Sequence, residues 1–231
     1  MLNYHYSYLI GTLIFAAAWV ACFILGKKYR PQLMWGTLIS APLGLTSILF
    51  VPQYWTPPSL FDLDKRFRIG IEDILWAAVV GGIASVIAEV LLKEKLARNR
   101  NQPHKRHYAP FVVLVGVFLI LEPWHPGKTI YNTIISFAAC ALVVAFLRRD
   151  LVLLMVAGAL DFTLLYAVLF VYFLALYPDF IQRYYNIPNL LGIYIFKVPF
   201  EEFMFAASGG AVWSVAYEYI QGYRVSLGRP L

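Results

Sequence analysis

A series of apolar blocks of membrane-spanning length is the strongest constraint on the fold. A helix needs about 20 apolar residues to cross the hydrocarbon core of a bilayer. Hydrophobic residues make up 61% of the chain and charged residues 14%, whereas a soluble domain carries about a quarter charged residues. The sequence therefore predicts an all-α, polytopic membrane helix bundle of about seven spans, at 6–26, 33–52, 70–92, 109–121, 130–147, 151–177 and 198–220.

The distribution of Lys and Arg predicts the orientation of these spans. No basic residue precedes the first block, and Lys27, Lys28 and Arg30 follow it, which indicates an uncleaved first helix with its N-terminus outside. With seven spans, 13 of the 19 basic residues fall on cytoplasmic segments, six of them in the loop 93–108. We expect an integral protein of the cytoplasmic (inner) membrane, with its C-terminus inside and this loop on anionic lipid. The net charge of +6 thus reflects topology rather than nucleic-acid binding.

An internal repeat relates the two halves of the sequence. With a shift of 129, residues 68–89 align with residues 197–218, and seven of 22 positions are identical. Apolar bias can align aliphatic residues, but it does not align three acidic positions and one basic position. We therefore predict a first three-helix repeat at 1–95, a basic cytoplasmic loop and linker helix at 96–128, and a second repeat at 129–231.

The single linker helix predicts that both repeats cross the membrane in the same direction, as a 3+1+3 parallel tandem repeat. Such repeats are related by an axis along the membrane normal. Two acid pairs, Glu72-Asp73 and Glu201-Glu202, then lie at the same, non-cytoplasmic end of the third and seventh helices. Only in this arrangement can the two pairs share a site.

The acid pairs have two interpretations. Pro199 is typical of a first helical turn, where backbone amides favour carboxylates, so that Lys197 or Arg68 and the helix ends could account for the acids structurally. Each copy nevertheless has two acids, and buried carboxylates are costly in a membrane. Acids crowded together cannot all ionise, so at least one should stay protonated at neutral pH and could donate a proton.

Other polar residues are candidates with weaker support. Asp161 lies near the middle of the sixth span, where an acid is a functional candidate; a hydrogen bond to Thr or Ser on a neighbouring helix is the alternative. Glu89 and Glu218 come 17 residues after Glu72 and Glu201, about 25 Å along each helix. They are expected near the cytoplasmic face, paired with basic loops.

Aromatic residues on the acid-bearing helices could stabilise a cation, although core packing is the commoner role. These candidates are Trp76, Phe205, Trp213 and Tyr217. Aromatic residues at the ends of spans are interpreted as interface anchors, namely Tyr4, Tyr6, Tyr8, Trp55, Tyr184 and Tyr185.

Several motifs of known chemistry are absent from the sequence. It contains no G-x-G-x-x-G or G-x-x-x-x-G-K-[ST] motif, no D-D-x-x-D site and no His/Cys cluster with metal-ligand spacing. The seventh span has no central Lys for a retinal Schiff base. The sequence therefore predicts no metal site, no dinucleotide site and no retinal.

The stretch VPFEEFMF at 198–205 resembles the Pro-x-Glu-Glu/Asp motif of the membrane-integral lycopene cyclases. Members of that family consist of two homologous polytopic halves, and the resemblance extends to the fused form over nearly the whole chain. It implicates Pro199, Glu201 and Glu202. Glu72 and Asp73 match in the first half, but Gly70 stands where proline is expected.

The resemblance implies redox-neutral cyclisation of a linear carotenoid end group, an intramolecular lyase or isomerase reaction without a cofactor. An acid protonates the terminal double bond, a neighbouring alkene attacks the cation, and a base removes a ring proton. Glu201 is the expected acid, and Glu202 or Glu72 the base or orienting group, with interchangeable roles.

Three alternatives remain open from the sequence. A small membrane transporter can have the same parallel-repeat plan, and a lipid-binding or assembly protein of this fold would use the acids only for capping and ion pairs. A third alternative is an enzyme that acts on another apolar polyisoprenoid from the bilayer. Any of these proteins could form a homo-oligomer.

Overall fold

Ten α-helices carry the fold in the computed structural model, which describes residues 3–92, 96–100 and 108–227. The long helices are α1 (Ser7–Leu25), α2 (Arg30–Ser40), α5 (Ile71–Leu92), α6 (Ala109–Trp124), α7 (Thr129–Leu147), α8 (Val152–Leu176) and α10 (Phe200–Gln221). The short helices are α3 (Ser47–Phe50), α4 (Leu63–Phe67) and α9 (Phe180–Tyr184). The strands are β1 (Leu96–Arg100), β2 (Tyr194–Ile195), β3 (Val198–Pro199) and β4 (Tyr223–Leu227).

Five helical segments of the described chain are long and apolar enough to cross a membrane, at Tyr4–Leu25, Lys27–Phe50, Ile71–Leu91, Thr129–Leu147 and Arg149–Leu176. The predicted all-α membrane class is therefore confirmed. The linker helix α6 is apolar but has only 16 residues, and α10 contains three glutamates. Neither is among the five segments, so the count of seven spans stays a prediction.

The second predicted span is not one continuous α-helix. After α2 the backbone continues as a 3-10 helix over Ala41–Thr46 before α3 begins. Pro42 lacks the backbone N–H that an α-helix needs. Gly44 lies so close to α5 that an added Cβ would be 2.5 Å from the Cα of Ile74. The interruption allows this span to approach α5 at the level of the first acid pair.

The helices α5 and α10 form the centre of the bundle. They contact each other, α5 also packs against α1, α2 and α8, and α10 against α7 and α8. More than half of the α5 window is buried (56%), against 28–33% in the other four spanning windows. Large apolar side chains on the outer helices are exposed, as expected for contact with lipid, among them Leu25, Leu119, Phe146 and Leu164.

Glycine and serine allow the closest helix contacts. A Cβ on Gly36 of α2 would lie 2.5 Å from Ser85 Oγ and 2.9 Å from the Gly81 carbonyl oxygen of α5. A Cβ on Gly158 of α8 would lie 2.3 Å from Ser214 and 2.9 Å from the Gly210 carbonyl oxygen of α10. Both helix pairs therefore pack backbone against backbone.

Segments from the two halves of the chain pair at both ends of the central helices. Near the acid pairs, Trp55 and Tyr185 form an antiparallel bridge, with hydrogen bonds from Thr56 N to Tyr184 O and from Asn186 N to Tyr54 O. At the other end, β1 pairs antiparallel with β4, with Ala97 opposite Ser226.

Much of the predicted lipid-binding loop 93–108 lies outside the described residues. Within it, the backbone of Leu96–Arg100 forms β1, which was not predicted. Its partner strand β4 follows α10, more than 120 positions along the chain, so no local sequence pattern indicates the pairing. The predicted domain boundaries stay predictions.

Candidate active site

The four acids lie in the first turns of the two central helices. Glu72 and Asp73 follow the start of α5, and Glu201 and Glu202 follow the start of α10. Pro199 lies just before α10 rather than inside its first turn. All four acids are buried, with exposed fractions of 0–5%. In the described part of the chain, no Lys, Arg or His forms an ion pair with any of them, so the structural alternative of an ion pair with Arg68 or Lys197 finds no support there.

Three tyrosine hydroxyls donate hydrogen bonds to Glu202. Tyr54 and Tyr185 donate to Oε1, each at 2.6 Å, and Tyr166 donates to Oε2 at 2.5 Å. Tyr166 is on α8, while Tyr54 and Tyr185 lie in the two loops that pair across the halves. We call these three residues the tyrosine cradle.

The tyrosine cradle consists of donors that keep their protons. Burial raises the pKa of the Tyr54 and Tyr185 hydroxyls well above the ordinary tyrosine value, and the nearby Glu202 carboxylate raises it further. A phenol that keeps its hydrogen donates it to the best acceptor within reach, and a carboxylate is the best acceptor here.

Glu201 has one satisfied and one unsatisfied oxygen. Its Oε1 accepts from the backbone N–H of Leu191 at 2.6 Å and from the Tyr131 hydroxyl of α7. Its Oε2 is buried and has no hydrogen-bond partner among the described residues. A buried polar oxygen without a hydrogen-bond partner is energetically costly.

A tight hairpin leads into this second acid pair. β2 pairs with β3 through a turn at Phe196 and Lys197, both in the left-handed region with φ of 50° and 67°. Two residues of this kind form the type I′ turn that joins short antiparallel strands. The hairpin places Leu191 beside Glu201 on one side and begins α10 on the other.

The first acid pair accepts hydrogen bonds mainly from backbone N–H groups that are close to it in the sequence. Glu72 Oε1 accepts from Leu60 N at 2.7 Å, as Glu201 does from Leu191, and Glu72 Oε2 has no partner among the described residues. Asp73 accepts from the Gly70 backbone N–H at 2.7 Å and from the Tyr8 hydroxyl of α1 at 2.9 Å. The Gly70–Asp73 contact caps the start of α5.

Gly70 and Pro199 explain the difference between the two pairs. Proline has no backbone N–H, so the cap that Asp73 makes with Gly70 has no counterpart in the second half. Glu202, which has a longer side chain than Asp73, instead reaches the tyrosine cradle. The space at Gly70 is also limited, because an added Cβ would lie 2.9 Å from Glu72 Oε2 and 3.0 Å from Ser59 Cβ.

We expect Gly70→Pro to destabilise the protein by roughly 2–4 kcal/mol, because it removes the N–H bound to Asp73 and places atoms against Glu72. Thermal unfolding of the purified protein in detergent measures the effect. Gly70→Ala keeps the N–H and adds only the Cβ, so its loss should be smaller. A Gly70→Pro protein as stable as wild type would contradict this account of the cap.

Aromatic side chains connect the two acid pairs. Tyr8, which binds Asp73, packs against Trp55 with ring centroids 4.9 Å apart, and Trp55 packs against Tyr185 at 5.7 Å. The ring centroid of Trp76 on α5 lies 4.5 Å from that of Phe15 and 6.1 Å from that of Tyr166. Both acid pairs therefore border one continuous aromatic cluster.

The other predicted site residues lie at varying distances from this cluster. Phe205 packs on Phe137 of α7. Trp213 borders the core, and Tyr217 packs on Trp35 and Tyr223; they lie about 18 and 24 Å along α10 from Glu201. Asp161 is partly exposed on α8 and forms no hydrogen bond within the described residues.

Glu89 and Glu218 come together at the opposite end of the central helices. The side-chain amide of Gln32 lies 2.9 Å from Glu89 Oε1 and 3.4 Å from Glu218 Oε2, and all three residues are buried. The basic loop expected to pair with these acids is mostly outside the described residues.

Most of the tyrosines that donate hydrogen bonds to the acids were not predicted from the sequence. Tyr54, Tyr131 and Tyr166 were not among the candidates. Tyr8 and Tyr185 were interpreted as interface anchors, which is wrong, because they are 4% and 8% exposed and donate to buried acids. An aromatic, Pro-containing loop precedes each acid pair in the sequence, at 54–58 and at 184–188. This recurrence could have indicated Tyr54 and Tyr185.

Comparison with known proteins gives one result. Residues 128–220 match the family model described as lycopene cyclase, which confirms the resemblance for the part of the chain that carries Glu201 and Glu202. No curated protein and no solved structure matches the chain significantly.

Proposed function

Over residues 128–220 this chain belongs to the lycopene cyclase family, and from that premise we propose that it is a carotenoid cyclase. The family supports a cyclase-like enzyme in carotenoid biosynthesis, and the apolar helices support an integral membrane protein. The finer proposal is a redox-neutral, proton-initiated cyclisation of a linear, lycopene-like end group inside the bilayer, the chemistry of an intramolecular lyase or isomerase.

The observation that carries this proposal is the state of Glu201. Its carboxyl is fully buried, fixed through Oε1 by Leu191 and Tyr131, and unpartnered at Oε2 among the described residues. A positioned carboxyl with one oxygen unpartnered is the kind of group that initiation of the reaction by proton transfer to an alkene needs.

The proposed reaction begins with proton transfer from Glu201 to the terminal carbon–carbon double bond. The resulting tertiary cation is attacked by the neighbouring double bond, which closes the ring and moves the positive charge onto it. A base then removes a ring proton, so that no electron is gained or lost. Glu202 and Glu72 are the candidate bases, and Asp73 lies beside them at the same end of the helices.

The aromatic residues are proposed to stabilise the cation and to hold the substrate. Trp76 is the best placed, since it borders the cluster that contains Tyr166. Phe205 is one turn from Glu201 along α10. Trp213 and Tyr217 are further along the same helix and suit contact with the distal part of a long substrate. Pro199 has no backbone N–H that could donate to Glu202, so the Glu202 carboxylate accepts hydrogen bonds from the tyrosine cradle instead.

The proposed architecture is seven spans in a 3+1+3 parallel repeat. Several equivalent contacts support it. Leu60 N binds Glu72 as Leu191 N binds Glu201, and the Gly36–Ser85 contact corresponds to Gly158–Ser214. The Ala97–Ser226 pair in β1 and β4 joins positions 129 residues apart, as expected on a two-fold axis between the halves.

The proposed topology in the cytoplasmic membrane has the N-terminus outside and the C-terminus inside. The acid pairs then lie toward the outer face, and the basic loop 93–108 contacts anionic lipid on the inner face. The partners of such an enzyme are its apolar polyisoprenoid substrate and lipid, without nucleic acid, and homo-oligomers are compatible with the exposed helix faces.

One observation favours a second candidate function. Asp161 is partly exposed in the middle of α8 and has no hydrogen bond within the described residues, as a group on a transport pathway would be. A carrier of apolar or amphipathic molecules would use such an acid and would leave its cargo chemically unchanged.

Expression of the chain in a bacterial host that accumulates lycopene tests the proposal. We expect monocyclic or bicyclic carotenes in the extracted pigments, identified by chromatography and absorption spectra. Unchanged lycopene beside folded protein in the membrane would exclude lycopene as the substrate. In that case the same assay with other linear polyisoprenoids decides between another cyclase and a carrier.

A further inference from the structure

The two adjacent acids of α10 have different hydrogen-bond environments, although both are buried. Both oxygens of Glu202 accept hydrogen bonds, three in total and all from the tyrosine cradle. Only one oxygen of Glu201 accepts, and the other has no partner among the described residues. When two neighbouring carboxyls have such unequal environments, one is favoured in the protonated form and the other in the ionised form.

The hydrogen count around Glu202 favours its ionised form. Each phenol of the tyrosine cradle has one hydrogen, and none of the three hydroxyls has another hydrogen-bond partner in the described part of the chain. An ionised carboxylate has room for all three. A protonated Glu202 would have to donate to one phenol, whose own hydrogen would then lack an acceptor in a buried site.

We infer that Glu202 is a fixed anion held by Tyr54, Tyr166 and Tyr185, that Glu201 is the proton carrier of the pair, and that the three tyrosines are positioning residues. This inference deepens the proposed function, because an anion fixed beside the acid stabilises the cation formed after proton transfer. A carboxylate that already accepts three hydrogen bonds is a weak base. Removal of the ring proton then falls to Glu201, left as carboxylate after its donation, or to Glu72.

Several other titratable groups face this site and are part of the test. They are Glu201 on the same helix, Tyr166 on α8, Tyr54 and Tyr185 on the paired loops, and, beyond them, Tyr8 of α1 with Glu72 and Asp73 of α5. In the described part of the chain no cation pairs with Glu202, so hydroxyl donors are the groups that stabilise its charge there.

Infrared difference spectroscopy of the full-length protein in lipid nanodiscs tests the assignment without any substrate. At neutral pH, wild type minus Glu201→Gln should contain the carbonyl band of a protonated carboxyl. Wild type minus Glu202→Gln should contain the two stretching bands of a carboxylate. The opposite assignment, or a protonated-carboxyl band in both differences, would overturn the inference.

The tyrosine variants give a second measurement. Tyr166→Phe and Tyr185→Phe each keep the ring and remove one donor, so we expect Glu202 to take up a proton at a higher pH than in wild type, seen as a new protonated-carboxyl band. Tyr184→Phe is the matched control, since its hydroxyl makes a 3.4 Å contact with the Tyr4 carbonyl oxygen instead. Spectra of Tyr166→Phe and Tyr185→Phe identical to that control would overturn the role of the cradle, even if Glu202→Gln failed to fold.

In the pigment assay, each cradle variant should lower the amount of cyclic product per folded protein about ten- to a hundredfold, since one hydrogen bond to a charged group is lost. This part rests on the proposed function. If the wild type forms no cyclic product from lycopene while the infrared assignment holds, lycopene cyclisation is wrong and the division between the two acids stands.

Discussion

Glu201→Gln is expected to abolish formation of cyclic carotene in a lycopene-accumulating host, with a loss of about a thousandfold or more. Glutamine keeps the shape of the side chain and can still accept hydrogen bonds from Leu191 N–H and Tyr131 at its amide oxygen. It cannot donate the proton that starts the reaction, and loss of a general acid typically costs about 10²–10⁴-fold. Chromatography of the pigments, normalised to the amount of protein in the membrane, measures the loss.

Glu72→Gln is the matched comparison for Glu201→Gln, because it removes the equivalent acid, which is proposed as a base rather than as the initiating acid. Glu72 is the equivalent residue in the first half, buried to the same degree and bound through Leu60 N in the same manner. Retained product with Glu72→Gln and none with Glu201→Gln would assign initiation to the second half. Full activity of Glu201→Gln would contradict its role as the acid, whatever the result for Glu72→Gln.

Gly158→Val is expected to prevent stable folding, with a loss of about 3 kcal/mol or more. The Cβ alone would lie 2.3 Å from Ser214 and 2.9 Å from the Gly210 carbonyl oxygen. A serine hydroxyl can rotate away, but its Cβ and a backbone carbonyl cannot, so α8 and α10 must separate. Separation moves Tyr166 away from Glu202 and opens the buried interface between α8 and the central helix α10. The melting temperature and the yield of folded protein in detergent measure the effect.

Gly116→Val is the control for Gly158→Val. Gly116 is also a glycine in an apolar helix, but a Cβ at this position on α6 would have no heavy atom within 4 Å. The same change in size and helix propensity should therefore cost less than about 1 kcal/mol. Equal losses at Gly116 and Gly158 would mean that propensity, and not the close helix contact, explains the effect.

The helix-initial positions of the acids could be predicted from the sequence. Both pairs precede long apolar blocks, and the repeat put them in register, so their burial in the first turns of α5 and α10 was within reach of pattern analysis. The apolar blocks themselves indicated the class of protein. These features depend on residues that are close together in the sequence.

The surroundings of Glu202 could not be predicted in the same way. Its three donors lie 17, 36 and 148 residues away in the sequence. Which phenol reaches it depends on how α8 crosses α10 and on the pairing of Trp55 with Tyr185. An abundance of tyrosine, 16 in the chain, makes each of them a weak signal. The hydrogen bond from the Gly70 N–H to Asp73 was not predicted for another reason. The absence of proline at position 70 was interpreted only as a departure from the family motif, and not as the gain of a backbone donor.

One hydroxyl at the proposed reactive centre comes from the other half of the molecule. Tyr54 belongs to the first half, yet its O–H is bound to Glu202 of the second. Under the proposed duplication, one copy could lose its own chemistry and still supply a hydroxyl that the other copy needs. The first half would then serve the second as an accessory, even if Glu72 and Asp73 never contact a substrate.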